Sequence, residues 1–326
     1  MNDQVLEIHN LSVDFRTPRG RVEALRDINF SVPQGKIVGI VGESGCGKST
    51  VIMAVMNLLA PNAEITNGIV EFEGKNVLKM SPSELRAIRG NRFSVVFQDP
   101  MTSLNPVLSI GRQMIDIQYR SNLNRKEKLK LSAKMLTRVG IPDSEKRLSN
   151  YLHHFSGGMR QRIAIAMALI TSPTLLIVDE PTTALDATLE MQIVHLLKEL
   201  QSTLNCSILF VSHHLGLITE ICDSVVVMYA GEVIEYGTVR DVFLHPAHPY
   251  TQKLLECDPA RIKQRCSILP TIPGDVPDLM NVHEECIFRP RCPSAFDICA
   301  RNVPTNSFMK PGHIAKCHQL TRKHDL

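Results

Sequence analysis

The chain opens with two segments in which apolar and polar residues alternate, Val5 to Phe15 and Val22 to Val32, either side of the turn-like Thr17-Pro18-Arg19-Gly20. A period of two predicts half-buried strands, and the pair predicts an antiparallel, hairpin-like sheet. The pattern then changes. Ile37-Val38-Gly39-Ile40-Val41 is a short β-branched run bounded by Gly35, as expected of a strand buried on both faces. Val51 to Leu59 reads as a helix and Gly68 to Phe72 as a further strand. Ser81-Pro82-Ser83-Glu84 starts a helix with Ser81 at the cap. Phe93 to Phe97 is a strand ending at Gln98, because no helix continues through Asp99-Pro100. Ile110 to Gly140 carries helical periodicity, and its basic residues between Arg120 and Lys134 read as a solvated face. Ser156 to Gln161 opens an apolar helix, Ile163 to Leu169. Leu175 to Val178 and Ser207 to Val211 are buried strands, with a helix from Thr188 to Leu200 between them. Val225 to Tyr229 and Glu232 to Tyr236, joined by Ala230-Gly231, form a closing hairpin. Buried strands alternating with helices predict an α/β protein with a mostly parallel sheet.

Between the first buried strand and its helix lies Gly42-Glu43-Ser44-Gly45-Cys46-Gly47-Lys48-Ser49-Thr50. It fits G-x-x-x-x-G-K-[ST], with Gly42, Gly47, Lys48 and Ser49 at the fixed places. Strand, glycine loop and helix make a phosphate cradle. The glycines let backbone N–H groups close around the β- and γ-phosphates, and the helix N-terminus adds partial positive charge. Lys48 is expected to reach the β/γ oxygens and the Ser49 hydroxyl to hold Mg²⁺. The chain is therefore expected to bind a nucleoside triphosphate.

Other positions suit the same chemistry. Gln98 sits at the carboxyl end of a strand, where α/β sheets bind ligands, and its amide can serve Mg²⁺ or the attacking water. Asp179 and Glu180 tip the strand Leu175 to Val178, Asp179 as a direct or second-sphere Mg²⁺ ligand and Glu180 as general base. His213 ends the strand Ser207 to Val211, in reach of a γ-phosphate. Ser156-Gly157-Gly158 at a helix N-terminus is a second candidate anion site, though Ser-Gly-Gly is also an ordinary loop. A purine on the cradle needs something flat to stack on; Phe15 and Arg19 are the two candidates, with Phe15 equally readable as core.

Composition narrows the class. At 326 residues the chain can hold one large domain and a smaller one. A net charge of +3, with no basic block interleaved with aromatics, argues against nucleic acid. The longest apolar runs fall far short of a membrane span. The N-terminus begins Asn2-Asp3 without a basic-then-apolar signal segment, so the chain is expected to stay cytosolic and its cysteines not to form disulfides. Of nine cysteines, Cys46, Cys206, Cys222, Cys257 and Cys266 are scattered and read as small neutral side chains. The other four crowd into the last 41 residues as Cys286-x₅-Cys292-x₆-Cys299-x₁₇-Cys317, in a proline-rich, loop-like segment that promises little core. Four thiolates there suit a tetrahedral sulfur site, and spacing alone leaves zinc and iron–sulfur both open. His283, His313 and His318 flank the cluster and read as surface residues.

From about Leu6 to Leu255 the chain resembles the ATP-binding subunit of an ABC transporter. Gly42–Thr50 is similar to the Walker A loop, Gln98 to the Q-loop, Phe155–Gln161 to the signature, Leu175–Glu180 to Walker B, Ala184–Asp186 to the D-loop and His213 to the switch histidine. Two departures stand out. The signature begins Phe-Ser-Gly-Gly-Met, and His214 stands where aspartate often follows the switch histidine. His245-Pro246-Ala247-His248-Pro249-Tyr250-Thr251 and Phe97 to Pro106 resemble the oligopeptide and dipeptide importer branch.

The resemblance implies a P-loop ABC ATPase core in residues 1–255, with an antiparallel β subdomain and a helical subdomain at about 98–165. A small loop-rich extension in 256–326 follows. It implies that Ser156, Gly157, Gly158 and Gln161 cap the ATP of a second ATPase subunit, hetero- or homodimeric, with Asp186 at that interface. It also implies two membrane permease subunits and an extracellular or periplasmic binding protein as partners, a peripheral place at the cytoplasmic membrane face, and a [4Fe–4S] cluster on the four tail cysteines. Two other readings are a soluble ABC-type ATPase in a non-transport process and a non-catalytic ATP-binding regulator. Intact Lys48, Asp179, Glu180 and His213 argue against the regulator, and the absence of long coiled-coil insertions argues against the soluble ATPase.

Overall fold

A computed structural model describes residues 3–182, 186–261, 269–280, 282 and 284–322. The chain divides into two compact units. One takes Met1–Pro33, Ile37–Lys79 and Val211–Leu326, and the other Gln34–Lys36 and Met80–Phe210. In chain order the strands are β1 (Gln4–Thr17), β2 (Gly20–Pro33), β3 (Ile37–Val41), β4 (Ala63–Phe72), β5 (Lys75–Asn76) and β6 (Phe93–Val96). They continue as β7 (Leu175–Asp179), β8 (Ser207–Val211), β9 (Ser224–Tyr229), β10 (Glu232–Thr238), β11 (Asn306–Lys310) and β12 (His313–Lys316).

In the first unit β1 and β2 form the expected hairpin, closing from Phe15↔Val22 to Thr17↔Gly20. They belong to an antiparallel sheet of order β2-β1-β4-β5. Alternation shows directly in burial. Leu6, Ile8, Leu11 and Val13 are at most 1 % exposed, while His9 and Asn10 face solvent. The other strands of this unit lie in the order β11-β12-β10-β9-β3. β3 runs parallel to β9, Ile40 opposite Val226, and every residue of β3 is buried, which explains its unbroken apolar run. β9 and β10 make the predicted hairpin through Ala230 and Gly231, both at positive φ.

The tail departs from its loop-like expectation. β11 and β12 form a hairpin that adds to β10, with Glu235 opposite Ala315 and Tyr236 opposite Ile314. Phe288 is 1 % exposed, its ring centroid 5.2 Å from that of Tyr229 and 5.5 Å from that of Tyr250. The tail thus gains a core by packing on aromatics from 229 and 250, which local composition does not reveal.

In the second unit β8, β7 and β6 are neighbours in that order, and β6 runs parallel to β7 with Val95 opposite Ile177. The helix Gly157–Leu169 is buried along nearly its whole second half, from Ile163 to Leu169. The segment 110–140 holds two helices, Ile110–Ile117 and Arg125–Arg138, where periodicity suggested one. The break has a local cause: Asn124 caps the second helix with a capping box to Glu127. Lys126, Lys130 and Lys134 lie on its exposed face, as expected. Among the described residues no helix is long and apolar enough to cross a membrane.

Candidate functional site

The loop Gly42–Thr50 leaves the buried β3 and enters the helix Lys48–Val55. Two of its glycines are required by space as well as by φ. A Cβ on Gly42 (φ +154°) would lie 2.2 Å from the Met228 carbonyl oxygen, and one on Gly47 (φ +102°) 2.7 Å from Leu25 Cδ2. Gly47 stands at the helix N-cap and brings no side chain to the first-turn N–H groups, so they are left to an incoming anion. Lys48 is buried, and its Nζ donates to the carbonyls of Gly42 at 2.8 Å and Glu43 at 3.1 Å. Cys46 packs beneath, its thiol pushed above the usual range by burial. Ser44, Gly45 and Ser49 face solvent and Thr50 is half-buried.

Glu43 has two partners that no motif announces. Its N–H donates to Tyr250 Oη at 3.0 Å, 207 residues away, and its carboxylate meets Arg291, 248 residues away. Elsewhere in this unit Phe15 lies half-buried on β1, opposite Val22 on β2 and Ala63 on β4. Arg19 is exposed in the hairpin turn. His213 is exposed just after β8, and the backbone N–H of His214 donates to Ser212 Oγ at 2.9 Å.

The second unit brings two predicted residues together: Gln98 Nε2 donates to Glu180 Oε2 at 3.0 Å. Gln98 leaves the end of β6 and Glu180 the end of β7, adjacent parallel strands. Glu180 sits at φ +42°, a left-handed turn that starts the chain away from the strand. Asp179 is the last residue of β7. Ser156 caps the helix Gly157–Leu169, its Oγ accepting from the Met159 N–H at 3.4 Å. Gly158 packs on Leu189, where a Cβ would come within 3.4 Å of its Cδ1, and Gln161 is buried. Asp186 caps the helix Ala187–Leu204 by accepting from the Leu189 N–H at 2.9 Å. Ala184 and Leu185 of the expected D-loop lie outside the described residues.

The four tail cysteines share one part of the first unit. Cys286, Cys299 and Cys317 are buried and Cys292 is half-buried. The Cys286 N–H donates to the Cys299 carbonyl at 2.9 Å. Burial pushes the Cys286 thiol up to about 12, and the nearby Cys299, Cys317 and Cys292 add to the rise. Four thiol donors suit a metal–sulfur group in kind. Among the described residues, however, no group of three or more His, Cys, Asp and Glu side chains converges so as to hold a metal ion. His313, expected at the surface, is instead 3 % exposed, its Nε2 2.8 Å from Glu235 Oε1, because β12 is drawn onto β10. His318 meets the Asn302 carbonyl at 2.9 Å. Cys266 and His283 lie outside the described residues.

Residues 25–183 match the ABC transporter family, and residues 234–299 match the oligopeptide/dipeptide transporter C-terminal region. The oligopeptide transport ATP-binding protein OppD of Salmonella typhimurium is 45 % identical over 96 % of this chain and 93 % of its own length. The dipeptide transport ATP-binding protein DppD of Bacillus subtilis is 44 % identical over 97 % and 94 %. The chain belongs to the ATP-binding subunits of the dipeptide/oligopeptide ABC importer family. Among solved structures, cbiO1 of Clostridium perfringens, part of the ABC transporter complex cbiONQ, has 29 % identity and a TM-score of 0.64, covering 75 % of this ABC subunit and 92 % of that chain. A dimeric post-hydrolysis structure of the ATP-binding cassette MJ0796 with ADP and Pi has 26 % identity and the same TM-score, over 72 % and 99 %. This ABC subunit is thus an ATPase built on the α/β P-loop cassette. Cys286, Cys292 and Cys299 fall inside the matched C-terminal region, and Cys317 lies beyond it.

Proposed function

We propose that this subunit hydrolyses ATP at an interface with a second ATPase subunit and so drives import of dipeptides or oligopeptides. Two membrane permease subunits would carry the cargo, delivered by an extracellular or periplasmic binding protein, with this chain peripheral at the cytoplasmic membrane face. The glycine-walled cradle with its buried lysine carries the reading. ATP draws Lys48 Nζ from the carbonyls of Gly42 and Glu43 to its β/γ oxygens, while the N–H groups of Gly45 to Thr50 surround the phosphates. Mg²⁺ bound with the nucleotide would neutralise charge on the phosphates, with the Ser49 hydroxyl its candidate ligand beside the cradle and Gln98 and Asp179 its candidate ligands in the second unit. Glu180 takes the proton of the attacking water, Gln98 holds that carboxylate at 3.0 Å, and His213 contacts the γ-phosphate. Ser156, Gly157, Gly158 and Gln161 offer their helix N-terminus to the partner's ATP. Phe15 or Arg19 stacks on adenine.

Replacing Glu180 by Gln tests the assignment. ATP binding is expected to persist, hydrolysis to fall by at least about a hundredfold, and ATP to trap a dimer in size-exclusion chromatography. Unchanged turnover would remove Glu180 from its role.

For the tail, Cys286, Cys292, Cys299 and Cys317 are proposed to hold a [4Fe–4S] cluster, with zinc as the alternative. Three buried thiols and one half-buried thiol in one lobe support it, and ligation requires them to close together. Iron and acid-labile sulfide on anaerobically purified protein test this, and a zinc-only content would replace the assignment.

A further inference from the structure

The buried cation at Arg291 faces the phosphate loop. Its side chain is 3 % exposed, so its charge needs a partner. Arg291 Nη1 donates to Glu43 Oε2 at 2.8 Å and Nη2 to Glu43 Oε1 at 3.1 Å, a two-pronged pair that fixes orientation as well as distance. The remaining donors are also used. Nε meets the Pro273 carbonyl at 3.0 Å, Nη2 the Ile272 carbonyl at 3.0 Å, and Nη1 the Tyr229 hydroxyl at 3.4 Å. Glu43 is held at its backbone too, where its N–H donates to Tyr250 Oη at 3.0 Å. Its carbonyl accepts from Lys48 Nζ at 3.1 Å. One residue of the loop is therefore gripped at carboxylate, amide and carbonyl, and the carboxylate grip comes from the residue next to Cys292 in the tail.

We propose that Arg291 is a positioning residue for ATP: through Glu43 it holds the loop Gly42–Thr50 in its phosphate-accepting shape, so nucleotide affinity depends on the tail. This rests on reading Gly42–Thr50 as the phosphate loop. A loop already held needs little further ordering when ATP arrives, whereas a released loop pays for that ordering out of binding affinity. Arg291 acts on the loop through the Glu43 carboxylate.

The test uses the full chain and MgATP, with Kd from titration and KM and kcat from turnover. Arg291→Ala and Glu43→Ala are each expected to raise Kd and KM about tenfold, a usual size for coupling between two sites, with kcat at saturating ATP kept. The double variant is expected to be no worse than either single one. Arg291→Lys should fall between wild type and Arg291→Ala, since one ammonium replaces the charge but cannot span both oxygens. Glu43→Ala leaves Arg291 with its carbonyl partners and Tyr229, so it decides the matter if Arg291→Ala fails to fold. Unchanged affinity in Glu43→Ala and Arg291→Lys, or losses that multiply in the double variant, would overturn the proposal. Lys48→Ala separates the two levels. If it abolishes ATP binding while the Glu43 and Arg291 variants bind normally, Arg291 alone loses its role. If Lys48→Ala binds ATP like wild type, the phosphate-loop reading falls, and this proposal with it.

Discussion

Acidification should strike this protein at His248. The imidazole is 2 % exposed; its Nδ1 accepts from the Tyr250 N–H at 3.0 Å, and its own backbone N–H donates to Glu235 Oε2 at 2.9 Å. An Nδ1 that accepts is unprotonated, so a proton there would cost the cap of the helix Pro249–Glu256. Burial lowers the His248 pKa from 6.5 to about 4, although the Glu235 carboxylate pulls it upward. The unfolded chain binds this proton near the higher value and the native chain near the lower. Between them the unfolded state holds more protons, and stability falls as pH falls. The contribution is complete above about pH 6.5 and lost as pH drops through about 4. A fall from 6.5 to about 4 is worth about 3 kcal/mol, at about 1.4 kcal/mol for each tenfold change in proton affinity. Urea unfolding followed by tyrosine near-ultraviolet circular dichroism, from about pH 7.5 to about pH 4, measures it against His248→Asn. The asparagine oxygen can still take the Tyr250 N–H, so the variant loses the titration and keeps the cap. Wild type should lose up to about 3 kcal/mol more than the variant across that range. Parallel curves would refute the reasoning.

Gly42→Ala would place a Cβ 2.2 Å from the Met228 carbonyl oxygen, so it should cost more than about 1 kcal/mol in melting experiments and weaken ATP binding. Phe288→Ala removes a ring that is 1 % exposed between Tyr229 and Tyr250, and should cost about 3–5 kcal/mol with faster proteolysis of the tail. Ser156→Ala loses the helix-cap bond to the Met159 N–H, a cost of about 1 kcal/mol to folding. Calorimetry should register that loss together with weaker ATP-driven dimerisation.

Elements buried on both faces were the easiest to read from the chain. β3, β7 and β8 each carry an apolar run of at least four residues, and the helix starts at Ser81 and Ser156 carry their cap residue in the expected place. The tail strands gave no such signal. Asn306–Lys310 and His313–Lys316 are short and mixed, and they become strands by pairing with each other and with β10. The same holds for the site. Residues of the glycine loop and the tips of β6 and β7 follow from spacing, since each motif is local. Arg291 and Tyr250 reach Glu43 across 248 and 207 residues of sequence, a relation that no periodicity encodes.

The zipping of β12 onto β10 bears on how this subunit can be cut. Shortened to residues 1–255, the chain would keep β10 paired with β9 but strip Glu235 and Tyr236 of their partner strand, leaving a sheet border open there. Such a fragment would recruit another strand from whatever chain it meets first. A minimal cassette of this subunit should therefore be cut after β12, or else given a charged or proline-bearing border in its place.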